Sequence, residues 1–143
     1  MIAPDALRAA IEKAQDTNLI NATVASQFAA IGALEAGAGY PRSYLTGLAE
    51  IRQRVVAQLA VLANKCTTPQ TEGAFYLFLK INTDLHALTL AEQLIERYKV
   101  AVIPGTAFGM TNACYLRVAY GALPKEMIEE GVSRLVKGID TLT

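Results

Sequence analysis

Cysteine is scarce in this chain. Cys66 and Cys114 are the only two, far apart and without metal-ligand spacing. That excludes a disulfide framework and a zinc-type cluster as organising features. With no charged-then-apolar leader at the N-terminus, it points to free thiols in a reducing, cytoplasmic setting. Histidine is scarcer still. His86 stands alone after Asp84 at a strand-to-helix connection, which gives a metal no set of ligands and suits a surface loop. Ser26 and Ser133 fall on expected helices with no His/Asp partners, so hydrolase chemistry finds no support. There is no excess charge of either sign, thirteen basic residues against thirteen acidic, and no basic run to hold a nucleic acid. No apolar run approaches the roughly 20 residues that cross a bilayer. Repeats and low-complexity segments are also missing.

What is present is apolar. Hydrophobic residues make up 52% of 143, enough for one domain with a real core. Pro4 and Asp5 suit the first turn of a helix, and Leu7, Ala10, Ile11 and Ala14 recur at helical spacing. A polar connection follows, with Asn21 or Thr23 as the cap of an alanine-rich helix over 22–34 that Gly37 and Gly39 stop. Pro41 opens a long helix with Tyr44, Leu48, Ile51, Val55, Leu59 and Leu62 on one face, ended by Asn64 and Lys65.

The second half reads β-α-β-β-α. A short edge strand is expected at 66–68. The run 74–81 is apolar on both faces apart from Lys80, which predicts a central strand. Thr89 and Glu92 form a capping-box pattern before a helix that ends near Tyr98. Strands are expected at 99–103 and 114–120. Pro124 opens a last helix with Ile128, Val132, Leu135 and Ile139 on one face. The expected fold is α/β (α+β): a small, mostly antiparallel sheet of three to four strands with helices against one face, preceded by a helical half.

The stretch 100–120 holds the informative residues. Two apolar strands flank a loop, Pro104-Gly105-Thr106-Ala107-Phe108-Gly109, whose glycines suggest a tight connection with positive φ. It lacks the Gly-Lys-Ser/Thr ending of a nucleotide loop. Arg117 is the one charge inside the second strand, on the face opposite Leu116 and Val118. A buried guanidinium without a partner is costly, so Arg117 reaches water, pairs with an internal Glu, or meets an anion. Its planar fork suits a carboxylate.

Three passages carry a family resemblance. Val100-Ala101-Val102-Ile103-Pro104-Gly105 through Phe108-Gly109, then Leu116-Arg117 and Tyr120, resembles the C-terminal segment of the fold type I, class I/II aminotransferases that use pyridoxal 5'-phosphate, the aspartate aminotransferase family. Gly73-Ala74-Phe75-Tyr76 with Phe78 is similar to that family's strand motif, although Thr71 stands where proline is usual. Residues 22–34 resemble the helix after the cofactor lysine.

The resemblance implies amino transfer between an amino acid and a 2-oxo acid. It makes Arg117 the grip on the substrate α-carboxylate, with Phe108 and Gly105 shaping the pocket. It also implies a helical segment over 1–39 that joins a large domain, a small C-terminal domain over 40–143, and a homodimer. None of Lys13, Lys65, Lys80, Lys99, Lys125 and Lys137 has the family's Ser-Lys context, so the chain is expected to lack the Schiff-base lysine and to be inactive alone. The absence of Arg or Lys in 17–23 weighs against a substrate restricted to dicarboxylates. The alternative is a free-standing module that binds a partner or a small carboxylate without catalysis. The apolar N-terminal helices are expected to drive self-association.

Overall fold

A computed structural model describes residues 3–121 and 123–143. They form two compact units, Met1–Ser43 and Tyr44–Thr143.

The first unit is helical. A 3-10 turn leads into α1 (Arg8–Asn18), and α2 (Val24–Ala36) follows. Thr23 is the cap: its Oγ1 accepts the Ser26 backbone N–H at 3.3 Å. Gly37 ends α2 at φ +69°, a left-handed conformation that costs glycine little. None of the described residues of this unit is buried.

The helix α3 (Gly39–Leu59) crosses from the first unit into the second. Pro41 sits in its first turn, where a missing N–H costs nothing. The helix stops at Leu59 rather than at Asn64. A 3-10 turn, Ala60–Leu62, carries the chain on and buries Leu62.

The sheet belongs to the second unit. Its strands are β1 (Cys66–Thr67), β2 (Tyr76–Ile81), β3 (Ile103–Pro104) and β4 (Cys114–Ala119), ordered β1-β2-β4-β3. All three pairings are antiparallel, and Phe78 lies opposite Arg117. The helices α4 (Ala87–Tyr98) and α5 (Lys125–Leu142) complete the unit.

One sheet face carries Leu77, Leu79, Ile81, Cys114, Leu116 and Val118, all buried in a single cluster with Val55, Leu59, Leu90, Leu94, Leu135 and Ile139 from the helices. The periodicity read for the last helix holds: Ile128, Val132, Leu135 and Ile139 are all buried. Gly138 on the same helix lets α5 approach α4 closely, since a Cβ there would stand 2.4 Å from a Leu94 methyl carbon.

Four local expectations are corrected. The 74–81 run is an internal strand, but it begins at Tyr76 and only one of its faces is buried; Phe78 is half-buried, and Tyr76 and Lys80 are exposed. Helices cover one face only, so side chains alternate between core and open surface. The expected strand over 99–103 pairs only at Ile103–Pro104, because Lys99 takes a left-handed φ of +58° and closes α4, its N–H donating to the Ile95 carbonyl at 3.2 Å. Thr89 is not the cap of α4. The helix starts at Ala87, and His86 is the exposed capping residue, its Nδ1 facing the Leu88 N–H at 3.4 Å. Finally, of the two loop glycines only Gly109 has positive φ, at +79°. Gly105 is required by space instead: a Cβ would lie 2.6 Å from the Cβ of Tyr115.

Candidate functional site: an arginine on the open face of the sheet

The second sheet face is uncovered in this unit and differs in character from the first. Tyr76 and Phe78 of β2, Tyr115 and Arg117 of β4, and Ile103 of β3 share it by register. Aromatic rings dominate it. Phe78 stacks on Tyr115 with centroids 5.1 Å apart and planes 10° apart. Phe108, from the turn after β3, meets Phe78 edge-on at 5.8 Å.

Arg117 sits among these rings. Its Cζ lies 5.3 Å from the Tyr76 ring centroid and 5.1 Å from that of Phe108. Such cation–ring contacts hold a guanidinium in place without satisfying its N–H donors. Among the described residues Arg117 has no carboxylate partner, so the internal-Glu alternative is not realised. Its Nε is buried and has no acceptor. A donor in that condition costs free energy until an acceptor arrives.

The sequence-predicted residues Arg117, Phe108 and Gly105 therefore converge. Gly105 acts at one remove: it lets the loop lie against Tyr115. Tyr76 was missed as a partner of the arginine. Its signal was present in the alternation Tyr76-Leu77-Phe78-Leu79, aromatic on one face and aliphatic on the other.

Beside Arg117 lies a pocket of about 300 Å³. Ala101, Val102 and Ile103 form one wall, and Ala119, Tyr120 and Leu123 the other. The Tyr120 ring is buried, and its hydroxyl donates to the Ala74 carbonyl at 3.2 Å. Burial raises the Tyr120 pKa, with Arg52 opposing the rise. Ala74 itself is held at φ +63°, strained for a residue with a Cβ. A wider groove of about 890 Å³ runs between α3 and 68–72, where Arg52 donates to the Thr71 carbonyl at 2.8 Å.

Both thiols are buried, and burial raises their pKa values, so neither is poised as a nucleophile. Among the described residues no group of three or more His, Cys, Asp or Glu could hold a metal, and no helix is long and apolar enough to cross a membrane.

A four-stranded antiparallel sheet with helices on one face, and on the other an arginine set among aromatic rings, defines a small α/β unit. The chain belongs to the aminotransferases of class I and II, pyridoxal-phosphate enzymes of fold type I, whose family pattern matches residues 1–135. It is 33% identical over 139 residues to the aromatic aminotransferase ISS1 of Arabidopsis thaliana, covering 96% of this chain and 34% of that protein. Among solved structures it is similar to Pyrococcus protein-A1, with a TM-score of 0.76, 27% identity, and coverage of 98% of this chain and 36% of that one. A pyridoxal-phosphate-bound putative aminotransferase from Clostridium difficile 630 matches at a TM-score of 0.63 and 25% identity, over 72% of this chain and 27% of that one. The chain thus spans about a third of the length of ISS1 and of protein-A1.

The residues described here do not fit a covalent pyridoxal phosphate site. No charged residue among them is buried. Lys65 pairs with Asp140 at 3.0 Å, Lys99 caps α4, Lys125 is half-buried in the first turn of α5, and Lys13, Lys80 and Lys137 are exposed. A Schiff-base lysine needs desolvation or a cationic neighbour to become nucleophilic.

Proposed function

We propose that this chain is the carboxylate-gripping portion of an aminotransferase that moves an amino group between an amino acid and a 2-oxo acid. Arg117 binds the α-carboxylate, Phe108 walls the pocket, and Gly105 allows the loop carrying Phe108 to lie close to β4. Residues 40–143 act as the small domain, and 1–39 as the segment that joins it to a large domain. The cofactor is held by residues other than these, and the chain alone is inactive.

The observation that carries this reading is Arg117 itself: on the open face, clasped by two rings, with a buried Nε that lacks an acceptor. A charge-assisted hydrogen bond contributes about 1.5–3 kcal/mol, so a carboxylate meeting the fork is oriented as well as bound. Fixing the acid end in this way sets where the rest of the substrate lies.

Two measurements test it. Titrating pyruvate into the chain while following the Tyr76 and Phe108 ring resonances should give a saturable shift that Arg117→Gln removes. Incubation with pyridoxal phosphate and borohydride, followed by peptide mapping, should show no stoichiometric adduct on a single lysine. A specific adduct would refute the inactive-alone part of the proposal.

A further inference from the structure

We infer that this site selects acids with an uncharged, apolar side chain, a conclusion that rests on Arg117 being the α-carboxylate grip. Among the described residues lining the pocket beside it, Arg117 is the only charge. The remainder are Ala101, Val102, Ile103, Ala119 and Leu123, with Tyr120. The one hydroxyl proton in that wall is already given to the Ala74 carbonyl. A second carboxylate or an ammonium on the substrate would have to lose water against a mostly alkyl lining that offers no second charge and no free side-chain hydroxyl proton in return. An alkyl or aryl side chain instead covers surface that is now wet, since Ile103 and Leu123 are 37% and 54% exposed.

The volume agrees. About 300 Å³ is at the small end for ligand sites and suits a side chain of a few carbons up to one ring. The two halves of the recognition are separate in kind. Arg117 reads the acid common to all candidates, and the wall distinguishes their side chains.

The test uses the chain as it is, with binding followed at the Ala101 and Ala119 amides by NMR. Pyruvate, α-ketoisocaproate and α-ketoglutarate are compared. The first differs from the second by bulk, and the third carries a second charge. Relative to pyruvate, affinity should rise about three- to fivefold per added methylene-sized group in α-ketoisocaproate. α-Ketoglutarate should bind at least tenfold more weakly than α-ketoisocaproate. Arg117→Gln should abolish binding of all three. Leu123→Lys, at an exposed position, should narrow or invert the preference against α-ketoglutarate.

The failures are distinguishable. If α-ketoglutarate binds as well as α-ketoisocaproate and Arg117→Gln still abolishes both, the apolar subsite is wrong and the α-carboxylate grip stands. If Arg117→Gln leaves binding unchanged, or no acid binds the unmodified chain at all, the grip falls and the subsite with it.

Discussion

The helices α2 and α5 show that hydrophobic content and core membership are different things. The first, Val24–Ala36, is apolar on nearly every side and contributes no buried residue. The second, Lys125–Leu142, carries charges along most of its length and buries Ile128, Val132, Leu135, Gly138 and Ile139. What separates them is pattern. A stripe at i, i+4, i+7, i+11 has a facing surface to meet in the sheet and α4, whereas a helix apolar all round implies cover on every side. The same contrast divides the two units. The second has a continuous core, and the first has large apolar side chains in water, with Phe28 70% and Leu34 81% exposed.

The largest expected effect comes from striking both sides of this contrast equally. Leu135→Ala should lower the stability of the chain by about 2–5 kcal/mol in urea unfolding, because it opens a cavity in a closed cluster. Phe28→Ala, which removes more carbon from the first unit, should change it by less than about 0.5 kcal/mol. Comparable losses would abolish the distinction.

Self-association is the next sharpest probe. Exposed apolar surface on α2 favours a dimer or larger assembly, which light scattering at high concentration should detect. The double change Phe28→Glu with Leu34→Glu should shift the population toward monomer, while Leu88→Glu, also exposed but on α4, should not. A clean monomer for the unmodified chain would contradict the expectation.

Alkaline pH probes the buried Tyr120, Cys66 and Cys114 of the second unit. The pKa of Tyr120 is raised above 10.0 by burial, so the folded state keeps a proton that the unfolded state releases. Its contribution is therefore intact below the unfolded value and is lost as pH rises through the folded one. Cys66 and Cys114, raised above 9.0 by burial, act in the same direction. Stability should fall above about pH 9–10, and Tyr120→Phe should flatten part of that fall, at the cost of the Ala74 contact at neutral pH.

The smallest effect is expected at Ala74. A left-handed residue with a Cβ costs about 1–2 kcal/mol, and glycine's greater unfolded freedom returns about 0.5–1 kcal/mol of any relief. Ala74→Gly should therefore stabilise the chain by about 0.5 kcal/mol, measurable as a small rise in the urea midpoint. A destabilisation would mean that the Ala74 methyl makes contacts worth more than the strain.

Much of this architecture was legible because it is local. The α5 stripe, a cap at Asn21 or Thr23, the edge strand at Cys66 and the isolation of Arg117 between Leu116 and Val118 all follow from spacing within a few residues. The pocket was not legible, because Ala101, Val102 and Ile103 meet Ala119, Tyr120 and Leu123 only through the β3–β4 register, set across the nine residues 105–113 between the strands. The alternation along β2 puts Tyr76 and Phe78 on one face, but the approach of Tyr76 to Arg117 depends on pairing between β2 and β4. Reading 74–81 as covered on both sides failed because two aromatic residues on an open face look, in sequence, like core. The His86 cap was overlooked because Thr89 and Glu92 offered a more familiar pattern two residues inside the helix.

The order β1-β2-β4-β3 also governs when the arginine site can come into being. β2 and β3 are never hydrogen-bonded to each other, and each needs β4 between them. During synthesis the earlier strands must wait, with their inner edges unsatisfied, until residues 114–119 emerge and wedge in. The strand that carries Arg117 is thus the keystone of the sheet. A nascent chain stalled before it has no partly built binding face, only two unpaired edges.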